Sequence, residues 1–266
     1  KLFKKKIKLI NFYLGFLIFL GFFHNLWIHR FYDQDWTVGE WLINYSGGFV
    51  RRGLIGSLIY IFSSITRINP IILVQFISII AFFMFFYMLK CCSKSFSKTF
   101  LLSPIVGLSP ILGQTLIRKD VFQITIYGLC TLIIVNKRPF ISFFLVNCIA
   151  SIAILNHESF VFFALPSLFI LHFLNNLEIK NELSILNLLT RSLVFLLPSL
   201  IISCFVFYYK GTPSVAIDIH NSWQNLSSIL PTQGKLLEPL PKGSINAIGW
   251  ELSSCLRYIY KATLGE

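Results

Sequence analysis

The chain has 266 residues, 55% of them hydrophobic and 13% charged, with a mean hydropathy of +0.72. Soluble domains carry about 25% charged residues, so this composition excludes a water-soluble globule and points to a polytopic membrane protein. The formal charge of +12 is not carried on a basic stripe interleaved with solvated aromatics, which argues against a nucleic-acid partner; the lysines mark topology instead.

Reading from the N-terminus, KLFKKKIK precedes an apolar run from Leu9 to Ile28. The run is too long for a signal peptide and no small-x-small cleavage site follows it, so it is expected to be an uncleaved first span. Further spans are predicted at Pro70–Leu89, Phe100–Ile117, Val121–Val135, Pro139–Leu155, Phe160–Leu177 and Leu193–Tyr209. Each approaches the roughly 20 residues that cross a hydrocarbon core of about 30 Å. Backbone in lipid must satisfy its own hydrogen bonds, and no barrel-like alternation is present, so the fold class is an all-α bundle of about seven spans.

Leu54–Ile65 is different, since about 12 apolar residues are short for a crossing and suit an interfacial or re-entrant helix. If it does not cross, the lysine-bearing segments 1–8, 90–98, 136–138 and 178–191 all fall on the cytoplasmic side, as the positive-inside rule requires. The external face then receives 29–69, the turn at Arg118–Asp120, the turn at Asn156–Ser159 and the tail after Lys210. Those segments hold nine of the eleven acidic residues.

Four external constellations carry chemistry. In FYDQDWTVGEW, residues 31–41, Asp33, Asp35 and Glu40 put carboxylates at the membrane surface, suited to general-base work on a sugar hydroxyl or to sharing a divalent ion. The same residues also fit a solvated loop with Asp35 as an N-cap. In NYSGGFVRRGLIG, residues 44–56, Arg51 and Arg52 stand behind Gly47-Gly48 at the start of the short helix. Guanidinium groups there suit a phosphate, with lipid headgroups as the bland alternative.

Arg118, Lys119 and Asp120 lie between two apolar runs, where charge is costly, although a solvated hairpin would hold them equally well. Gln123 should share a helix face with Lys119 or Asp120. His157 and Glu158 adjoin in an Asn-His-Glu-Ser turn that lacks the second histidine of a zinc-protease motif; they suit an acceptor hydroxyl or proton transfer, or else a plain polar turn. His24, Asn25 and His172 read as interhelical hydrogen-bond partners. The six cysteines form no C-x-x-C pair, so neither a zinc site nor a disulfide framework follows.

The tail from Gly211 is punctuated by Pro, Gly, Ser and Asn and holds no run of spanning length, so 211–266 is expected to be an external segment appended to a transmembrane domain at 1–210. Short helices are predicted near Ser222–Leu230 and Ile245–Tyr260, with Asp218, His220 and Trp223 available to cover a site. The chain begins without Met and ends abruptly at Gly265-Glu266, as a truncated chain would.

A basic cytoplasmic N-terminus, one span, an external first loop with Asp33, Asp35 and Glu40 lying partly along the membrane, and then many apolar spans together resemble the GT-C class of polytopic glycosyltransferases. The resemblance is one of topology over about residues 1–210; no GGFVRRG motif belongs to it. It implies a first-loop carboxylate as base, Asp35 ahead of Asp33, and a polyprenyl-phosphate-linked sugar as donor. On that reading Arg51, Arg52, Arg118 and Lys119 hold phosphate, while Asp120, His157 and Glu158 contact sugar or acceptor. No cofactor is required, although a divalent metal is compatible. The setting would be a bacterial inner membrane with the active face periplasmic. An O-antigen-type polymerase, a flippase for lipid-linked glycans and a membrane O-acyltransferase using His157 are the competing readings.

Overall fold

Helices satisfy every backbone group within one segment, which is why apolar runs of this length adopt them in lipid, and the computed structural model is all-helical among its described residues. It describes 36–92, 118–136, 139–179, 184–230 and 238–250, with scattered positions in 12–23 and at 253 and 257. In chain order the helices are α1 (Thr37–Trp41), α2 (Gly53–Thr66), α3 (Pro70–Cys92), α4 (Lys119–Asn136), α5 (Pro139–Asn156), α6 (Ser159–Ile179), α7 (Ile185–Tyr208), α8 (Pro213–Gln224) and α9 (Gly243–Ala247).

Five of them, α3 to α7, are long and apolar enough to cross a membrane. The expectation of seven spans is therefore met at five; the other two, Leu9–Ile28 and Phe100–Ile117, lie wholly or mostly outside the described residues. Side chains such as Phe76, Phe140, Phe144, Phe162, Leu193 and Phe205 project outward and exposed, as the lipid-facing side of a bundle requires.

Cross-helix bonds fix how the bundle runs. The Lys119 ammonium and the Gln123 amide, one turn apart on α4, donate to Asn156 O and Ala153 O on α5, so the two helices are antiparallel. Thr125 Oγ1 donates to Ala81 O, and Met88 lies against Gly128, so α3 runs parallel to α4. His172 Nδ1 meets Ser192 Oγ at 3.0 Å between antiparallel α6 and α7, and its ring stacks on Phe195. That is the interhelical partnership expected of His172. One end of the bundle thus gathers the starts of α3, α4 and α6 with the ends of α5 and α7. The opposite end gathers Cys92, Asn136, Pro139, Ile179 and Ile185.

One polar device holds the spans together. Pro198 interrupts α7 and, having no N–H, cannot complete the local ladder. Asn147 of α5 inserts its amide beside the break: Nδ2 donates to Phe195 O at 2.8 Å, and Oδ1 accepts from Ser199 N–H at 3.2 Å and Ser199 Oγ at 2.7 Å. A neighbouring side chain supplies what the kinked backbone lacks. Around it, Ala150, Ala153 and Ala164 are fully buried and admit close helix approach.

The short apolar helix does not follow the bundle axis. At about 1.5 Å per residue its 14 residues reach about 21 Å, less than a hydrocarbon core. It leaves the polar end at Gly53 and, within the three residues after Thr66, delivers the chain to α3, which starts at the same end. Asn69 caps α3 through Ile71 N–H, with Pro70 at the first helical position. Gly56 explains how α2 lies down on residues 41–43: a Cβ there would stand 1.9 Å from Ile43 O. Its face of Gly53, Gly56, Ile59 and Ser63 is buried, while Leu58, Ile61, Phe62 and Ile65 are exposed.

The tail and the first loop close over this end as one cap. Trp41, Leu42, Ile59, Ile219 and Trp223 share a hydrophobic cluster. Trp223 Nε1 donates to Leu42 O at 2.8 Å, and Asn44 Nδ2 to Ser222 Oγ at 3.0 Å. The expected helix at Ser222–Leu230 is corrected: α8 begins at Pro213, capped by Thr212, whose hydroxyl accepts from Val215 N–H, and only a 3-10 turn at Ser227–Ile229 follows. Thr-Pro is a start signal of its own. Of the second expected tail helix, Ile245–Tyr260, the described residues show α9 ending at Ala247 with Ile248 as its cap and helical positions at 253 and 257; the rest of 251–260 lies outside the described residues. Ahead of α1, the cap position is Trp36 rather than Asp35.

Candidate functional site

Three loops reach the polar end of the bundle, and their charged residues meet there. Residues 44–53 arrive through a tight turn, in which Asn44 Oδ1 accepts from Ser46 N–H at 2.9 Å and Gly48 takes φ +106°. Arg51 N–H then donates to Tyr209 O, pinning the segment to the end of α7. Arg52 caps α2 with φ 69° and ψ 3°, a left-handed conformation that a non-glycine residue adopts only under constraint.

The constraint is visible at both ends of the residue. Arg52 O accepts from Lys119 Nζ at 3.1 Å. Its guanidinium donates from Nε to Glu158 Oε2 at 2.8 Å, from Nη2 to Glu158 Oε1 at 2.5 Å, and from Nη1 to Glu40 Oε1 at 2.9 Å. This is a side-on fork on one carboxylate with a third bond to another. Arg51 Nη1 stands 3.4 Å from the same Glu158 Oε1.

His157 completes the group. Ser159 N–H donates to its Nδ1 at 3.1 Å, so Nε2 is the nitrogen left to donate, and it lies 3.0 Å from Glu40 Oε1. Only Glu158 separates His157 from Ser159, and this two-residue turn between α5 and α6 is what brings an imidazole and a carboxylate to the same point. Lys119 is fully buried, bonded to two backbone carbonyls and lying 5.6 Å from the Trp41 ring centroid.

Burial pushes the Glu40 carboxyl up, but the His157 hydrogen bond and electrostatic attraction to His157, Arg52 and Lys119 outweigh it and hold it at about 2. Glu158 behaves alike: burial raises it, and the Arg52 hydrogen bond and charge, with attraction to His157 and Arg51 behind them, hold it at about 2. Burial works against the Arg52 charge, and Glu158 and Glu40 more than offset it, so its pKa is raised. Both carboxylates are therefore weak proton acceptors as they stand, whereas their bound cations are well placed for an oxyanion.

Six residues singled out from sequence thus converge: Glu40, Arg51, Arg52, Lys119, His157 and Glu158. Gln123 joins Lys119 on one buried face, as expected. Arg118 and Asp120 pair with each other at 3.2 Å in an exposed position beside the cluster. Asp33 and Asp35 lie outside the described residues. Asp218, His220 and Trp223 secure the cap: Ser46 Oγ donates to Asp218 O at 3.4 Å and His220 Nε2 meets Glu238 O at 2.6 Å.

Sequence reasoning treated Asn156 only as part of a turn. Its amide is fully buried and neither side-chain end has a partner; the same holds for Ser159 Oγ and Gln123 Oε1. Three unpartnered polar groups within a turn of the ion cluster mark a place where a polar guest would be accommodated. The signal for Asn156 was its position at the end of an apolar run. Among the described residues no group of three His, Cys, Asp or Glu side chains is arranged to hold a metal ion. Comparison with protein-family models, with characterised proteins and with solved structures gave no match.

Proposed function

We propose that this chain is a membrane glycosyltransferase that takes its sugar from a polyprenyl-phosphate-linked donor and works in the assembly of a cell-envelope glycan. The observation that carries the reading is the arginine pair at the polar end of the bundle. Arg51 and Arg52 lie side by side where a lipid-linked phosphate would sit, flanked by a cap long enough to cover a sugar. An oxyanion that gains charge as the glycosidic bond breaks is stabilised by fixed guanidinium groups, which need no reorganisation at that moment.

In this mechanism Arg51 and Arg52, with Arg118 at the exposed rim, meet the phosphate, while Lys119 is a structural cation that holds the 44–53 segment in place through Arg52 O. Glu40 and His157 orient the cluster. The base that removes the acceptor proton would be Asp35 or Asp33, since Glu40 is held too acidic to serve. Asp35 directly precedes Trp36, whose carbonyl accepts the Ser244 hydroxyl in the cap. General-base assistance is worth about 10²- to 10⁴-fold in rate. The active face would be external, on the lysine distribution alone.

The test is transfer of radiolabelled sugar from a polyprenyl-phosphate donor by the full chain in proteoliposomes. Asp35→Asn or Asp33→Asn is expected to lower the rate by at least about 100-fold. Undiminished transfer in both variants would remove the carboxylate assignment. It would favour the polymerase reading, in which external arginines and a large external segment suffice.

A further inference from the structure

Glu158 is bound in the manner of a ligand. Its two oxygens receive the parallel Nε and Nη2 donors of Arg52, and Arg51 approaches the same Oε1 from a second side. Two arginines around a planar oxyanion, one side-on, is how proteins hold phosphate and carboxylate alike. Beside it the residues on either flank of the His157–Glu158 pair, Asn156 and Ser159, keep a buried amide and a buried hydroxyl without partners. The surroundings offer more hydrogen-bonding capacity than Glu158 uses. They also count three basic side chains, Arg51, Arg52 and Lys119, against two acidic ones, Glu40 and Glu158.

We propose that Glu158 is an internal occupant of an oxyanion subsite formed by Arg51 and Arg52, and that a phosphate group displaces it. The proposal rests on the lipid-linked phosphate reading for the identity of the natural ligand, but not for the exchange itself. Arg51 is the entry point: its side chain is 27% exposed, against 25% for Arg52 and 10% for Glu158, and at 3.4 Å it holds Glu158 less closely than either Arg52 bond does. An incoming phosphate meets Arg51 first and then takes the Arg52 fork. Glu158 swings aside, and the unpartnered Asn156 and Ser159 groups are available to whichever oxyanion remains. Glu40 keeps Arg52 in position through Nη1 during the exchange.

The exchange predicts an inverted mutational effect, in which removing a charge from the site strengthens binding. The experiment uses the full chain in neutral detergent and in lipid nanodiscs, with intrinsic tryptophan fluorescence, to which Trp41 beside Lys119 contributes, as a reporter and three probes: inorganic phosphate, a polyprenyl monophosphate, and nanodiscs with or without phosphatidylglycerol. Glu158→Gln should bind the preferred probe about tenfold or more tightly than the unmutated protein, because one charge-assisted competitor is lost. Arg51→Gln should weaken binding in both backgrounds. Should Glu158→Gln not yield folded protein, Glu158→Asp, whose carboxylate is withdrawn by one methylene, carries the test with a smaller gain.

Equal or weaker binding in the Glu158 variants overturns the exchange, even where polyprenyl phosphate binds and the lipid-linked reading stands. Tighter binding of inorganic phosphate or of phosphatidylglycerol, with polyprenyl phosphate ignored, upholds the exchange and removes that reading. No response to any probe in any variant overturns both.

Discussion

Replacing Arg52 separates two opposing contributions at one residue. Arg52→Gln removes three charge-assisted hydrogen bonds and leaves Glu158 with Arg51 at 3.4 Å and His157 Nδ1 at 3.9 Å, and Glu40 with His157 and the more distant Lys119 charge. Breaking a buried ion pair by deleting one partner costs about 3–5 kcal/mol, because the remaining charge is left uncompensated. The backbone at position 52 is left-handed, which costs a residue with a Cβ about 1–2 kcal/mol. Arg52→Gly loses the same ion pairs but releases that strain. It should therefore be destabilised by only about 2–3 kcal/mol, about 1–2 kcal/mol less than Arg52→Gln. Reversible unfolding in mixed micelles titrated with a denaturing detergent, followed by tryptophan fluorescence, measures both. If Arg52→Gln unfolds at the unmutated midpoint, the ion cluster holds nothing. If Arg52→Gly is no more stable than Arg52→Gln, the strain argument is wrong.

Two further outcomes follow from the same geometry. Glu40 and Glu158 are held at about 2 against an ordinary 4.5, so each contributes stability that is fully present above about pH 5 and is lost as pH falls through 2. At about 1.4 kcal/mol per unit this is on the order of 3 kcal/mol each, and less than the sum for the pair because they share Arg52. Melting curves recorded from pH 7 to pH 2 should show the loss below pH 5, and a flat profile there would contradict it. Asn147→Leu should destabilise the bundle by about 1–2 kcal/mol, since Phe195 O and Ser199 Oγ lose their partner beside Pro198; Asn147→Leu combined with Pro198→Ala should recover most of it, measured in the same titration.

The spans were legible from composition because hydrocarbon leaves a chain few options: an apolar run of about 20 residues must be a helix, whatever surrounds it. Hence Pro70, Pro139 and Asn136 bound helices close to where the hydropathy pattern puts them. The short run at 54–65 was legible as a helix too short for the hydrocarbon core, and α2 covers it at Gly53–Thr66. Polar residues in apolar company were also conspicuous, which is how Glu40, Arg51, Arg52, Lys119, His157 and Glu158 stood out one by one.

Their mutual arrangement was not legible. Nothing in a linear reading pairs Arg52 with Glu158 across 106 positions, or places Lys119 fully buried instead of on a solvated hairpin. Those outcomes depend on which helix ends meet, and that is set by Lys119 and Gln123 reaching the last turn of α5, and by Gly56 letting α2 lie on Ile43. The start of α8 at Pro213 was missed because the weakly apolar tail carries its helix signal in a Thr-Pro cap rather than in hydropathy. The sequence by itself determined what is membrane and what is polar, because transfer free energy is a property of each residue. Only the tertiary structure decided that the polar residues form one ion cluster under one cap, because contact between distant residues depends on how the helices pack.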